Sequence, residues 1–141
     1  MTLATVQTLA PGDELEPLVL PPITRATLAL FAGASGDHNP IHIDIDFAQA
    51  AGMPDVFAHG MLSMGYLSRL LTERFPAGSL REFKVRFAAL TLVHDVIVCR
   101  GRVRNVETIE RARHVTLDLE ATVPKRGITT LTGHAVLALP F

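Results

Sequence analysis

Apolar and polar positions follow two different periods along this chain, and the change comes near residue 80. Before that point the spacing is helical. Thr24 is placed to cap a helix from residue 25 to about 34, with Leu28, Phe31 and Ala32 on one face and Gly36 at its end. Upstream, residues 1–12 read as an irregular lead-in ending at Pro11-Gly12, and residues 14–20 as an edge strand stopped by Pro21-Pro22. Residues 37–46 have no period and centre on Asn39-Pro40. Asp44 or Asp46 then caps a short helix over 47–51, broken by Gly52-Met53-Pro54. The stretch 60–75 differs from these. Met61, Leu62, Met64, Leu67, Leu70 and Leu71 cover most of a helix circumference, which predicts a buried helix ended by Pro76 and Gly78.

From Leu80 the period is two. Phe83, Val85 and Phe87 alternate with Lys84 and Arg86, and Val96 and Val98 lead into the basic row Arg100, Arg102 and Arg104. Val115, Leu117 and Leu119 alternate with Thr116, Asp118 and Glu120, and residues 130–139 form a last strand. Helices followed by a run of closely connected strands predict an α+β class with an antiparallel sheet. One long buried helix with four or five strands suggests a sheet wrapped around that helix. So small a sheet leaves an edge and an apolar margin uncovered, so a dimer is expected.

The 141 residues suit one domain, 1–141, with about two thirds of the chain's surface buried on folding. A 48% hydrophobic share rules out intrinsic disorder, and 13 basic against 14 acidic residues argue against nucleic acid as a partner. Apolar runs are broken well short of a membrane span. The first basic residue is Arg25, unlike a signal peptide, so a cytoplasmic location is expected. Cys99 is the only cysteine, so an internal disulfide is impossible, and its place in an alternating strand predicts packing.

Candidate chemistry is densest in Ser35-Gly36-Asp37-His38-Asn39-Pro40-Ile41-His42. Asp37 and His42 converge only if the chain turns between them, and Asn39-Pro40 supplies a turn. A carboxylate and an imidazole so placed form an acid/base pair able to hold one water. A turn aspartate beside a satisfied loop histidine fits the same spacing. His38 and His42 have metal-ligand spacing for a helix, but Pro40 lies between them and the nearby chain holds no third ligand, so no metal site is expected. In Ala58-His59-Gly60-Met61, a helix start could aim the Gly60 amide at a carbonyl, or Gly60 could simply allow tight helix entry. Ser63 does not sit in a G-x-S-x-G elbow, and Gly33-Ala34-Ser35-Gly36 is not a phosphate loop.

The stretch Ala34-Ser35-Gly36-Asp37-His38-Asn39-Pro40-Ile41-His42-Ile43-Asp44, then Phe47-Ala48 and His59-Gly60-Met61-Leu62, resembles the MaoC-like (R)-specific enoyl-CoA hydratases. It also resembles the catalytic subunits of bacterial fatty-acid and mycolic-acid dehydratases, which act on acyl-carrier-protein substrates. The resemblance implies a hot-dog fold, an antiparallel sheet wrapped around a long central helix, and a homodimer, with a higher oligomer or heterodimer as alternatives. It implies reversible hydration of trans-2-enoyl thioesters to (R)-3-hydroxyacyl thioesters, carried by coenzyme A or acyl carrier protein, without metal or cofactor. Asp37 and His42 map to the acid/base pair, Asn39 to a support of the loop, and Gly60 to the amide that meets the thioester carbonyl. His59, Met61 and Ser68 are read as substrate-binding, with core packing as the other reading of Met61 and support of the aspartate as the other reading of Ser68. Lys84 and Arg86 are candidates for the anionic carrier, with a solvated outer strand face as the other reading. A hot-dog thioesterase and a binding subunit of a heteromeric dehydratase are the competing functions.

Overall fold

The structure, a computed structural model, describes residues 8–76 and 78–140; residues 1–7 of the expected lead-in lie outside them. Among the described residues five strands form one antiparallel sheet: β1 (Leu18–Val19), β2 (Leu80–Phe87), β3 (Val98–Ile109), β4 (Ala112–Val123) and β5 (Ile128–Pro140). Their order is β1-β3-β4-β5-β2, so β1 and β2 are the edges. The helices are α1 (Arg25–Ser35), α2 (Ile45–Ala50) and α3 (Gly60–Thr72), with a 3₁₀ turn at Pro40–His42.

Local chemistry places the boundaries. The Thr24 hydroxyl accepts from the Thr27 N–H, and Gly36 takes a left-handed φ of 76° to close α1. Asp44 accepts from the N–H groups of Asp46 and Phe47, so α2 starts two residues earlier than the apolar pattern indicated. The expected edge strand is the larger correction. Residues 12–20 do run beside β3, with Leu15 N–H donating to Gly101 O (2.8 Å) and Leu20 N–H to Ile97 O (2.9 Å). Regular pairing is confined to Leu18–Val19, because Pro17 has no N–H to contribute.

Helix α3 packs against β2, β3 and β4, and the core between them holds Leu67, Leu70, Leu71, Leu117 and Leu137, all at most 1% exposed. Period-two alternation sends Val115, Leu117, Leu119 and Ala121 inward and their neighbours outward. The expectation that α3 is buried all round holds for one side only. Leu62, Ser63, Leu67, Leu70 and Leu71 are buried, whereas Met61 is 56% exposed and Gly65 is exposed. The helix also ends at Thr72, short of Phe75.

Candidate active site

The loop after α1 descends through a staircase of small polar side chains spaced two apart. Ser35 Oγ donates to Phe31 O (2.7 Å) and accepts from the Asp37 N–H (3.2 Å). Asp37 Oδ1 accepts from the Asn39 N–H (3.2 Å), and Asn39 Oδ1 from the Ile41 N–H (3.2 Å), which caps the 3₁₀ turn. Each side chain replaces a backbone partner that an irregular chain would otherwise leave to water. Asn39 therefore shapes the loop through this cap. The turn carries His42 back toward Asp37.

A second segment holds His42 from the other side. Its Nδ1 lies 2.8 Å from Phe57 O, and since a carbonyl only accepts, Nδ1 carries the proton and Nε2 is the free lone pair of the neutral ring. Phe57 is anchored in turn. It bridges antiparallel to Leu92, and the Ala58 N–H donates to Thr91 O (2.9 Å). The Phe57 ring meets His42 edge-on at 5.0 Å. No side-chain pattern marks the role of the Phe57 carbonyl, so the sequence carries no signal for it.

Asp37, His42 and His59 each bring a ligand-capable atom within 4.8 Å of the others. The absence of a third such group holds along the chain near His42 but not in space, because 17 residues fold back to deliver His59. His59 Nε2 is already committed, donating to Asp37 O at 3.1 Å. His59 is 1% exposed and lies beneath His42, with ring centroids 4.0 Å apart and planes at 30°. Phe31 closes it edge-on at 4.9 Å. Burial pushes the His59 pKa below that of an ordinary histidine, against the opposing effect of the Asp37 carbonyl. The ring is thus neutral, and its Nδ1 is a buried acceptor without a partner among the described residues. Such an orphan costs about 1–3 kcal/mol. The expectation that His59 binds substrate fails on this burial: its neighbours cover it.

Gly60 begins α3, so its N–H belongs to the first turn and has no carbonyl within the helix to bond. The position is tight. A Cβ built on Gly60 would stand 2.8 Å from Phe87 Cε1. Met61 follows it, exposed, while Ser68 lies two turns further along and donates to Gly65 O at 2.8 Å. His38 is exposed on the loop and does not join the cluster.

Lys84 and Arg86 go elsewhere. Phe87 touches Gly60, and alternation turns Lys84 and Arg86 to the opposite face. There they line an open groove of about 770 Å³ with Arg100, Arg102 and Arg104 across the sheet. Lys84 pairs with Glu82 (2.9 Å), Arg104 with Asp118, and Arg100 stands 3.9 Å from Glu120. The structure does not bring this face to the Asp37–His42 corner. Cys99 is fully buried in β3, and burial pushes its thiol up to about 12, which removes it as a nucleophile.

The MaoC-like domain model matches residues 6–125. The chain belongs to the MaoC-like domain family. Within curated proteins it is 31% identical over 120 residues to an (R)-specific enoyl-CoA hydratase of Rhodospirillum rubrum, covering 84% of this chain and 81% of that one. It is 35% identical over 88 residues to a 3-hydroxyacyl-thioester dehydratase of Mycobacterium tuberculosis, of which it spans 31%. Among solved structures, the (R)-hydratase of A. caviae superposes with a TM-score of 0.83 at 28% identity, covering 95% of this chain and 99% of that one. An R-hydratase of Pseudomonas aeruginosa shares the fold at a TM-score of 0.81 and 24% identity, over 95% of this chain and 84% of that one. The MaoC-like chain thus has the hot-dog architecture, with α3 packed against β2, β3 and β4 of the sheet.

Proposed function

We propose that this MaoC-like chain is a hydro-lyase that adds water reversibly to trans-2-enoyl thioesters, giving (R)-3-hydroxyacyl thioesters. The observation that carries the reading is the convergence of the Asp37 carboxylate and the His42 imidazole, the latter presenting Nε2 because Nδ1–H is held by Phe57 O. Two acceptors at one corner can hold a water by both its protons. In the forward direction the water oxygen bonds to C3, the pair takes one water proton, and a proton is returned to C2. The charge that develops on the thioester oxygen meets the Gly60 N–H and the positive end of α3, which lowers the energy of the enolate. Asn39 keeps Asp37 and His42 at opposite ends of one short turn.

The test uses purified protein and a short trans-2-enoyl-CoA. Loss of the enoyl absorbance, no release of free thiol, and a product oxidised only by an (R)-specific 3-hydroxyacyl dehydrogenase are expected. Free thiol with an intact double bond would make the protein a thioesterase. The (S) product would reject the mechanism, and inactivity rescued by a second subunit would make it part of a heteromeric dehydratase.

A homodimer accompanies this reading. Met61, Met64, Gly65 and Ser68 form an incompletely covered stripe on α3, beside the edge strand β2 and the exposed rings and chains of Phe87 and Leu90. A second copy would cover the stripe and pair with the edge. Light scattering is expected to give twice 15.3 kDa; a single-chain mass would reject it.

A further inference from the structure

His59 is the one member of the corner cluster that no reacting atom can reach, yet it touches both of the others. It is 1% exposed, its Nε2–H lies on the Asp37 carbonyl, and its ring face lies under His42. We infer that His59 is a positioning residue, clamping the backbone of Asp37 and supporting the ring of His42 so that one buried side chain holds both halves of the acid/base pair. The inference rests on the hydratase reading of those two residues.

Three observations bear on it. Asp37 sits where α1 has ended, on an exposed loop whose remaining ties are short-range turns within residues 35–41. The His59 bond is the tie from Asp37 to a distant segment, spanning 22 residues. Next, His42 is fixed at one nitrogen by Phe57 O, which leaves the ring free to swing about that bond unless something lies against its face. His59 lies there, backed by Phe31. Finally, the buried Nδ1 has no partner among the described residues. A residue kept only to fill space would carry no such orphan; the donor at Nε2 and the flat ring account for histidine here.

Side-chain isosteres separate this role from packing. Glutamine carries an N–H donor as many bonds from Cβ as Nε2, whereas the amide nitrogen of asparagine falls at the place of Nδ1. In an enoyl-CoA hydration assay, His59→Asn is expected to lower kcat by about 10- to 100-fold, the usual loss for a group orienting another. KM should stay within about twofold of wild type, because uniform binding is untouched. His59→Gln, with the donor restored, is expected to recover at least about tenfold of that loss. Equal kcat in the two variants, a kcat for His59→Asn matching wild type, or a loss confined to KM would each overturn the inference. If His59→Asn does not fold, as read by its thermal transition, His59→Gln decides alone: a change in KM with kcat intact overturns, and near-wild-type kcat with unchanged KM supports. Asp37→Asn run in parallel separates the two levels. Its inactivity beside a fully active His59→Asn defeats the positioning role only, while an active Asp37→Asn defeats the hydratase reading.

Discussion

Two regions of this molecule are rich in charged or titratable side chains, and they are organised in opposite ways. At the corner between α1 and α3, Asp37, His42 and His59 are tied to backbone: Asp37 through the Asn39 N–H, His42 through Phe57 O, His59 through the Asp37 carbonyl. On the outer face of the sheet, Lys84 pairs with Glu82 along β2, and Arg100 and Arg104 pair with Glu120 and Asp118 across strands, side chain to side chain and 39% to 67% open to water. A backbone partner cannot rotate away, and partial burial strengthens the bonds of His42 and His59. Long exposed chains lose rotamer freedom in pairing, and their attraction is screened. Fixed geometry is what acid/base chemistry needs. The five cations of the outer face have more charge than the corner and less order.

Replacing the corner's reacting groups should have the largest effect. Asp37→Asn and His42→Ala are each expected to lower turnover by about 10²–10⁴ with the fold intact. Wild-type hydration by either folded variant would end the acid/base assignment. Gly60→Ala comes next, because its methyl must displace the Phe87 ring and disturb the amide proposed to meet the thioester. A loss of about 10- to 100-fold is expected, as for small misplacements in a site, with partial recovery when Phe87→Ala is added. An active Gly60→Ala would show that the ring yields freely.

The effect of pH is smaller. Burial holds His59 below the unfolded histidine value of about 6.5, so its neutral form contributes stability that is present above that pH and lost as pH falls through its folded value. Urea unfolding between pH 8 and 5 should show wild type losing stability more steeply than His59→Gln on the acid side. Parallel curves would mean that His59 titrates alike in both states. The outer face should respond least. Lys84→Glu with Arg86→Glu is expected to leave kcat and KM within about twofold even at low salt, where exposed charges act most strongly. A salt-sensitive rise in KM would return these residues to the anionic carrier.

Much of this was legible in the sequence because it depends on neighbours in the chain. Caps at Thr24 and Asp44, the left-handed close at Gly36, the Asn39-Pro40 turn and the period of β2 to β5 are all local, decided within a few residues by backbone hydrogen bonding and by which face meets water. The staircase Ser35, Asp37, Asn39 belongs with them: it could have been read from polar residues spaced two apart. Pairing Asp37 with His42 was legible for the same reason, and the resemblance of the whole motif strengthened it. What the tertiary structure alone decided depends on segments far apart in the chain. It buried His59 beneath His42, joined it to Asp37 across 22 residues, and recruited the carbonyl of Phe57, a group that every residue possesses and no sequence pattern marks. It also divided β2, sending Phe87 to Gly60 and turning Lys84 and Arg86 away. Alternation predicts that two faces exist, but only the packing of α3 decides which of them meets the site.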